Sequence, residues 1–196
     1  MGSGNFIKLQ RDNQGRLSTR NLRFGSYTNS SASYLIPLQN PSLTSPIINK
    51  ALVAPNFMGI GLPYDTRAQI LIYLQRLDEN WAQNFICLES PEKNYCVFKG
   101  STCDAIYSDV KQIYFQVEFE GNVEYILAPI ALFMQTQSGN CQFYLQQVNA
   151  TSENPSTVVL GSMFMQAFAA GFNSNSGQPP ELVLISSDSA PLPALI

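Results

Sequence analysis

Two acidic triplets, Asp65-Thr66-Arg67 and Asp188-Ser189-Ala190, begin like the Asp-[Ser/Thr]-Gly turn that presents a carboxylate to a catalytic water. Both lack the glycine, whose missing Cβ lets backbone amides close on the carboxylate. Asp65 directly precedes an amphipathic stretch, so capping a helix is its expected job, and Asp188 lies in a polar tail. Glu118, Glu120 and Glu124 cluster on a strand and its turn. Crowded carboxylates can divide acid and base work because proximity drives their pKa values apart. Here, however, Glu118 alternates with apolar Val117 and Phe119, and Glu120 abuts the turn, so a solvated outer face is expected. The chain contains no histidine. That removes every Ser/His or Cys/His nucleophile pair, every imidazole metal site and every imidazole proton shuttle. A Gly-rich phosphate loop, HExxH and GxSxG are also missing from the sequence.

Cys87, Cys96, Cys103 and Cys141 form no CxxC, so a zinc cluster is not expected. An even number at irregular spacing fits two disulfides and an oxidising compartment. The sequons at Asn29 (Asn29-Ser30-Ser31) and Asn149 (Asn149-Ala150-Thr151) agree with a secretory route, although such triplets also arise by chance. No metal and no cofactor is expected.

The elements that must position these residues read mostly as strands. Residues 5–10 alternate apolar and polar, and 11–15 form a turn. Residues 22–24 are a strand stub ending at Gly25, and 33–39 alternate around Pro37, which puts them at an edge or bulge. The clearest strand is IYFQVEF, 113–119, folded back by Glu120-Gly121-Asn122 on 123–127 as a hairpin. Residues 141–148, 157–160 and 181–185 are further strands. A helix is predicted over 66–79, with Ile70, Leu74 and Leu77 on one face, Leu71 beside them, and Asp65 or Thr66 as N-cap. A shorter helical turn is predicted over 163–169. The expected class is all-β, mainly antiparallel with two short helices, in one domain over 5–186 with a loose tail at 187–196.

Of the 196 residues 45% are hydrophobic and only 13% charged, about half the usual charged share. Polar but weakly ionic surfaces of this kind are typical of extracellular β proteins. The net charge of −3 opposes nucleic-acid binding, which needs a basic face to displace counterions. Lys8, Arg11, Arg16, Arg20 and Arg23 form a local basic group, expected as a solvated strand-turn-strand face rather than a docking patch for an acidic partner. No apolar run approaches the ~18 residues a membrane span needs. The start MGSGNFIKL lacks a signal-peptide pattern, and Phe6 spoils the myristoylation pattern. MGSG has the look of a cloning remnant, which would make the chain part of something longer.

One stretch raises a different question. ALVAPNFMGIGLP, 51–63, reads as a buried strand entering a Pro-marked loop, with a helix beyond and nothing reactive between. It resembles the second catalytic loop of pepsin-like aspartic proteases, where a hydrophobic strand runs into Asp-[Ser/Thr]-Gly, then aliphatic residues, then a helix. Ala51, Leu52 and Val53 fit the entering strand, and Ile60, Leu62 and Pro63 fit the exit. Ala54 stands where that family's catalytic Asp would be, and Pro55, Asn56, Phe57 and Met58 follow. Downstream, residues 103–141 resemble the family's cysteine-bounded segment. VVLGSMFMQAFAAGF resembles its late motif through Leu160, Gly161, Phe164 and Phe172, with Ser162, Gln166 and Asn173 departing from the customary Asp, Arg and Asp. NFIKLQRD and NLRFGSYTNSSASYLIPL are similar to the segment that opens the second lobe.

The resemblance spans 5–186 and implies a single C-terminal lobe of that bilobal fold. It implies that Cys103 pairs with Cys141, leaving Cys87 with Cys96. The family's chemistry uses two aspartates, one per lobe, sharing a proton and activating one water. A lobe with Ala54 supplies neither, so a non-catalytic module that binds a protein partner or a second copy is expected, in a secretory, vacuolar or extracellular setting. One alternative is a working endopeptidase completed by another lobe. A second is an unrelated secreted β domain, structural or carbohydrate-binding.

Overall fold

Alternation builds the sheets. In β8, Ile113–Phe119, the side chains of Ile113, Phe115, Val117 and Phe119 all point into the core. Its neighbour β2, Leu17–Ser26, buries Leu17 and Thr19, then Leu22 and Phe24. The inward phase switches from odd to even because a bulge interrupts the β2–β8 register between Thr19 and Asn21. That switch explains why alternation marks only a stub at 22–24 whereas the strand runs ten residues.

The computed structural model describes residues 6–27, 34–38, 50–90, 93–120, 125–148, 157–173 and 181–186. In chain order the other strands are β1 (Phe6–Gln10), β3 (Tyr34–Pro37), β4 (Lys50–Val53), β5 (Ile60–Leu62), β6 (Phe85–Glu89), β7 (Asn94–Phe98), β9 (Tyr125–Pro129), β10 (Met134–Gln137), β11 (Asn140–Phe143), β12 (Leu145–Gln147), β13 (Thr157–Leu160), β14 (Phe168–Asn173) and β15 (Glu181–Ser186). Among the described residues four helices lie between them: α1 (Tyr64–Gln75), α2 (Glu79–Asn84), α3 (Tyr107–Val110) and α4 (Ser162–Ala167). A 3-10 turn, Ile130–Phe133, follows Pro129. The protein is mainly β with short helices, and most strand pairs are antiparallel.

The strands form three sheets. The largest runs β12-β5-β13-β4-β2-β8-β9, with β3 added on β2. A four-stranded sheet runs β10-β11-β7-β6, and a three-stranded one β1-β15-β14. One cluster of buried apolar side chains joins all three, from Leu9 and Leu182 through Phe24 and Phe115 to Phe98 and Phe143. Aromatic rings fill its centre: Trp81 meets Phe98 with centroids 4.6 Å apart, and Phe85 meets Phe143 at 4.9 Å. Edge-to-face pairs of this kind add about 0.5–1.5 kcal/mol each beyond the area they bury.

Several expectations need correction. Neither Asp65 nor Thr66 caps α1. The helix starts at Tyr64 behind Pro63, whose fixed φ of −55° suits a helix entrance and whose carbonyl accepts the Arg67 N–H at 2.9 Å. Asp65 therefore sits inside the first turn, favourable to the helix dipole but not a cap. Instead of reaching residue 79, α1 ends at Gln75, where Arg76 and Leu77 close tight turns on Tyr73 and Leu74. Leu77 is thereby left exposed, not on the core face. Asp78 then caps α2, accepting the Trp81 N–H at 2.9 Å and delivering the indole to the core.

The predicted strand 141–148 is two strands. Tyr144 interrupts it by donating its N–H to Phe133 and accepting the Ile60 N–H, which sends β12 into parallel pairing with β5. The predicted helix 163–169 is confined to α4, because Phe168 onward joins a six-residue ladder with β15. The hairpin partner of β8, described from Tyr125, runs to Pro129, past the predicted end at 127, while residues 123 and 124 lie outside the described residues.

Candidate functional site

β4 and β5 are joined by residues 54–59, yet they do not pair with each other. β13 runs between them, parallel to β4 and antiparallel to β5. The 54–59 loop thus arches over the end of β13, and the hydrogen bonds follow from that threading. Ala54 donates its N–H to the Leu160 carbonyl at 3.0 Å, and Phe57 closes a turn on the Ala54 carbonyl at 3.0 Å. Beyond β13, Gly161 N–H reaches Gly59 O at 2.9 Å and Ser162 N–H reaches Phe57 O at 2.6 Å. The loop is sewn down at both ends by main-chain bonds, which orient it without consuming side chains.

Two glycines make the close approach possible. Gly161 has an ordinary φ, but a Cβ there would collide with the carbonyls of Phe57 and Gly59. Gly59 has φ +83°, and a Cβ there would also strike Tyr144. The glycine of Leu160-Gly161 is therefore a packing requirement of the loop above it.

Ala54, Pro55, Asn56, Phe57 and Met58 are brought together in this one turn. Ala54 and Phe57 are half-buried, Pro55 and Asn56 are exposed, and Met58 is 39% exposed. None of these side chains, nor Gly59, can carry or exchange a proton near neutral pH. What the loop offers a partner is a small apolar surface at Pro55 and Met58 with one amide, Asn56, beside it. It can grip by burial and hydrogen bonding; it holds no base to activate water.

The remaining candidates disperse. Cys103 is bonded to Cys141 and Cys87 to Cys96, the pairing the resemblance implied. Glu118 is not fully solvated as expected: it accepts Asn21 Nδ2 at 3.0 Å and Arg20 Nη1 at 3.4 Å. Glu120 is exposed. Asn29, Asn149, Glu124, Asp188 and the 187–196 tail lie outside the described residues. Within the basic group Arg16 pairs with Asp12 and Arg20 with Glu118, whereas Arg23 and Arg11 donate to uncharged acceptors, the Gln116 side chain and the Gly15 carbonyl. Among the described residues no three His, Cys, Asp or Glu gather as a metal would need, and no helix is long and apolar enough to cross a membrane.

Arg67 lies outside the sequence-based candidates. It is 2% exposed, and its guanidinium donates to Glu89 Oε1 at 2.6 Å, Asn94 Oδ1 at 3.0 Å and Gln147 Oε1 at 3.1 Å. Asn94 in turn exchanges two bonds with the Gln147 backbone. The cluster ties α1 to β6, β7 and β12. A signal was present: Arg67 falls on the same helical stripe as Ile70 and Leu74, where a cation must find partners.

No protein-family model matches the chain, and no curated protein matches it.

Proposed function

We propose that this chain is a non-catalytic lobe of pepsin-like architecture that works by binding protein through the face carrying the 54–59 loop. The observation that carries the reading is the passage of β13 between β4 and β5 beneath a loop with no ionisable side chain. Three sequence features singled out by the resemblance meet at that spot: Ala54 at the loop start, Leu160-Gly161 beneath it and α1 after β5. The Cys103–Cys141 and Cys87–Cys96 bonds support the same reading, and they are compatible with a secretory or extracellular setting.

Peptide hydrolysis of this type needs a pair of carboxylates, one accepting and one donating a proton around a shared water. The methyl of Ala54 does neither. Loss of such a residue costs several powers of ten in rate, about 5 kcal/mol or more of transition-state stabilisation. Binding survives that loss, since the loop's shape rests on backbone bonds and glycines rather than on an Asp. The simplest occupant of the face is a second copy of the chain. In a proteolysis assay at acid pH on denatured protein substrate, the purified chain should release no pepstatin-sensitive peptides. Pepstatin-sensitive cleavage would overturn the reading.

A further inference from the structure

The four-stranded sheet buries one face under the core through Cys96, Phe98, Cys141 and Phe143. Its other face forms an open groove of about 860 Å³, within the roughly 300–1,000 Å³ of small-molecule sites. The floor is Val97 and Gln142, only 7% and 9% exposed. Tyr95 and Tyr144 stand over it with ring centroids 6.2 Å apart. The Tyr144 hydroxyl lies 3.2 Å from both Gln135 Oε1 and Gln142 Oε1, so its position is fixed. Lys93 and Lys99 line the groove as exposed cations, neither in an ion pair among the described residues. Among the described residues no carboxylate lines it, in a chain of net charge −3. Glu89, on the flanking strand β6, is held by Arg67.

We propose that this groove binds an acidic oligosaccharide, one built of uronic-acid units. The two tyrosine rings offer faces for the C–H side of a sugar and hydroxyls for its polar edge. Gln142, together with Gln137 and Gln146, supplies amides that can both donate to and accept from ring hydroxyls. The lysines supply the countercharge for carboxylates. A nucleic acid fits less well, because each neutralised phosphate calls for its own cation and the described lining has two lysines and no arginine. The groove meets β5, just beyond the 54–59 loop, at Tyr144, whose carbonyl accepts the Ile60 N–H, but its ligand does not depend on the lobe assignment.

Isothermal titration of the intact chain with tetragalacturonate, with an uncharged tetrasaccharide and with tetraglutamate tests the assignment. Tetragalacturonate should bind at least about tenfold more tightly than either control. Tyr95→Ala and Lys99→Gln should each weaken it by about tenfold, with the amide NMR spectrum otherwise preserved. Lys99 is exposed, so its variant keeps the test sound should Tyr95→Ala unfold the sheet. No binding at millimolar tetragalacturonate, equal binding of tetraglutamate, or full affinity in Lys99→Gln would each overturn the proposal.

Discussion

At the scale of single residues, the missing Cβ of Gly161 does more for the candidate site than any side chain. The carbonyls of Phe57 and Gly59 occupy the volume a methyl would need, and backbone cannot swing aside as a flexible side chain can. Gly161→Ala should therefore destabilise the protein by about 2 kcal/mol or more, measured as a shift in urea midpoint at unchanged slope. Asp12 makes a second, pH-dependent case. Partial burial pushes its carboxyl up, but hydrogen bonds from the Arg16 amide and guanidinium and from the Gln14 amide outweigh this and hold it below the ordinary 3.8. A depressed folded-state pKa contributes stability above the unfolded value and loses it as pH falls toward the folded one. Asp12→Asn should thus be less stable than the parent at neutral pH, with the gap closing below about pH 3.8. A gap that persisted unchanged under acid would show that shape, not charge, is what Asp12 contributes. Arg67 belongs to no recognisable motif, unlike Asp65 in the same triplet, and its only sequence signature is a cation on the apolar stripe of α1.

At the scale of elements, legibility tracked how far local pattern decided the outcome. β8 and β13 were read to the residue, because an uninterrupted alternation or a short apolar run between turn residues leaves little to tertiary context. β2 was not, since its bulge resets the alternation midway. Neither was the division at Tyr144, which depends on Ile60 and Phe133, partners distant in sequence. α2 went unseen because six residues are too few to display a helical period. The Cys103–Cys141 bond pins the segment before α3 onto β11, with Cys103 N–H also held by Thr136 Oγ1 at 2.9 Å. It closes a loop of 38 residues, for which chain entropy gives roughly 4 kcal/mol. Replacing both cysteines by serine should lower stability by up to about that much, read by denaturant titration. An unchanged midpoint would mean that the loop is already restrained in the unfolded chain.

At the scale of the whole molecule, the class was legible and the site only half so. Strand patterns, turn residues and low charge pointed to an all-β domain, and a shared apolar core does join the three sheets. What no local pattern could reveal is that β13 lies between β4 and β5, or that one face of the four-stranded sheet is a polar groove. Both arise from strands far apart in sequence. The proposed lobe presents an uncharged loop at its surface, with Met58 exposed at its edge, and function then depends on what covers that face. Sedimentation velocity over a concentration series, on the parent chain and on Met58→Glu, measures this most directly. The account predicts concentration-dependent self-association that the buried charge of the variant weakens by about tenfold or more. A parent chain that remains monomeric at the highest concentration reached, or that associates equally well with glutamate at position 58, would contradict it.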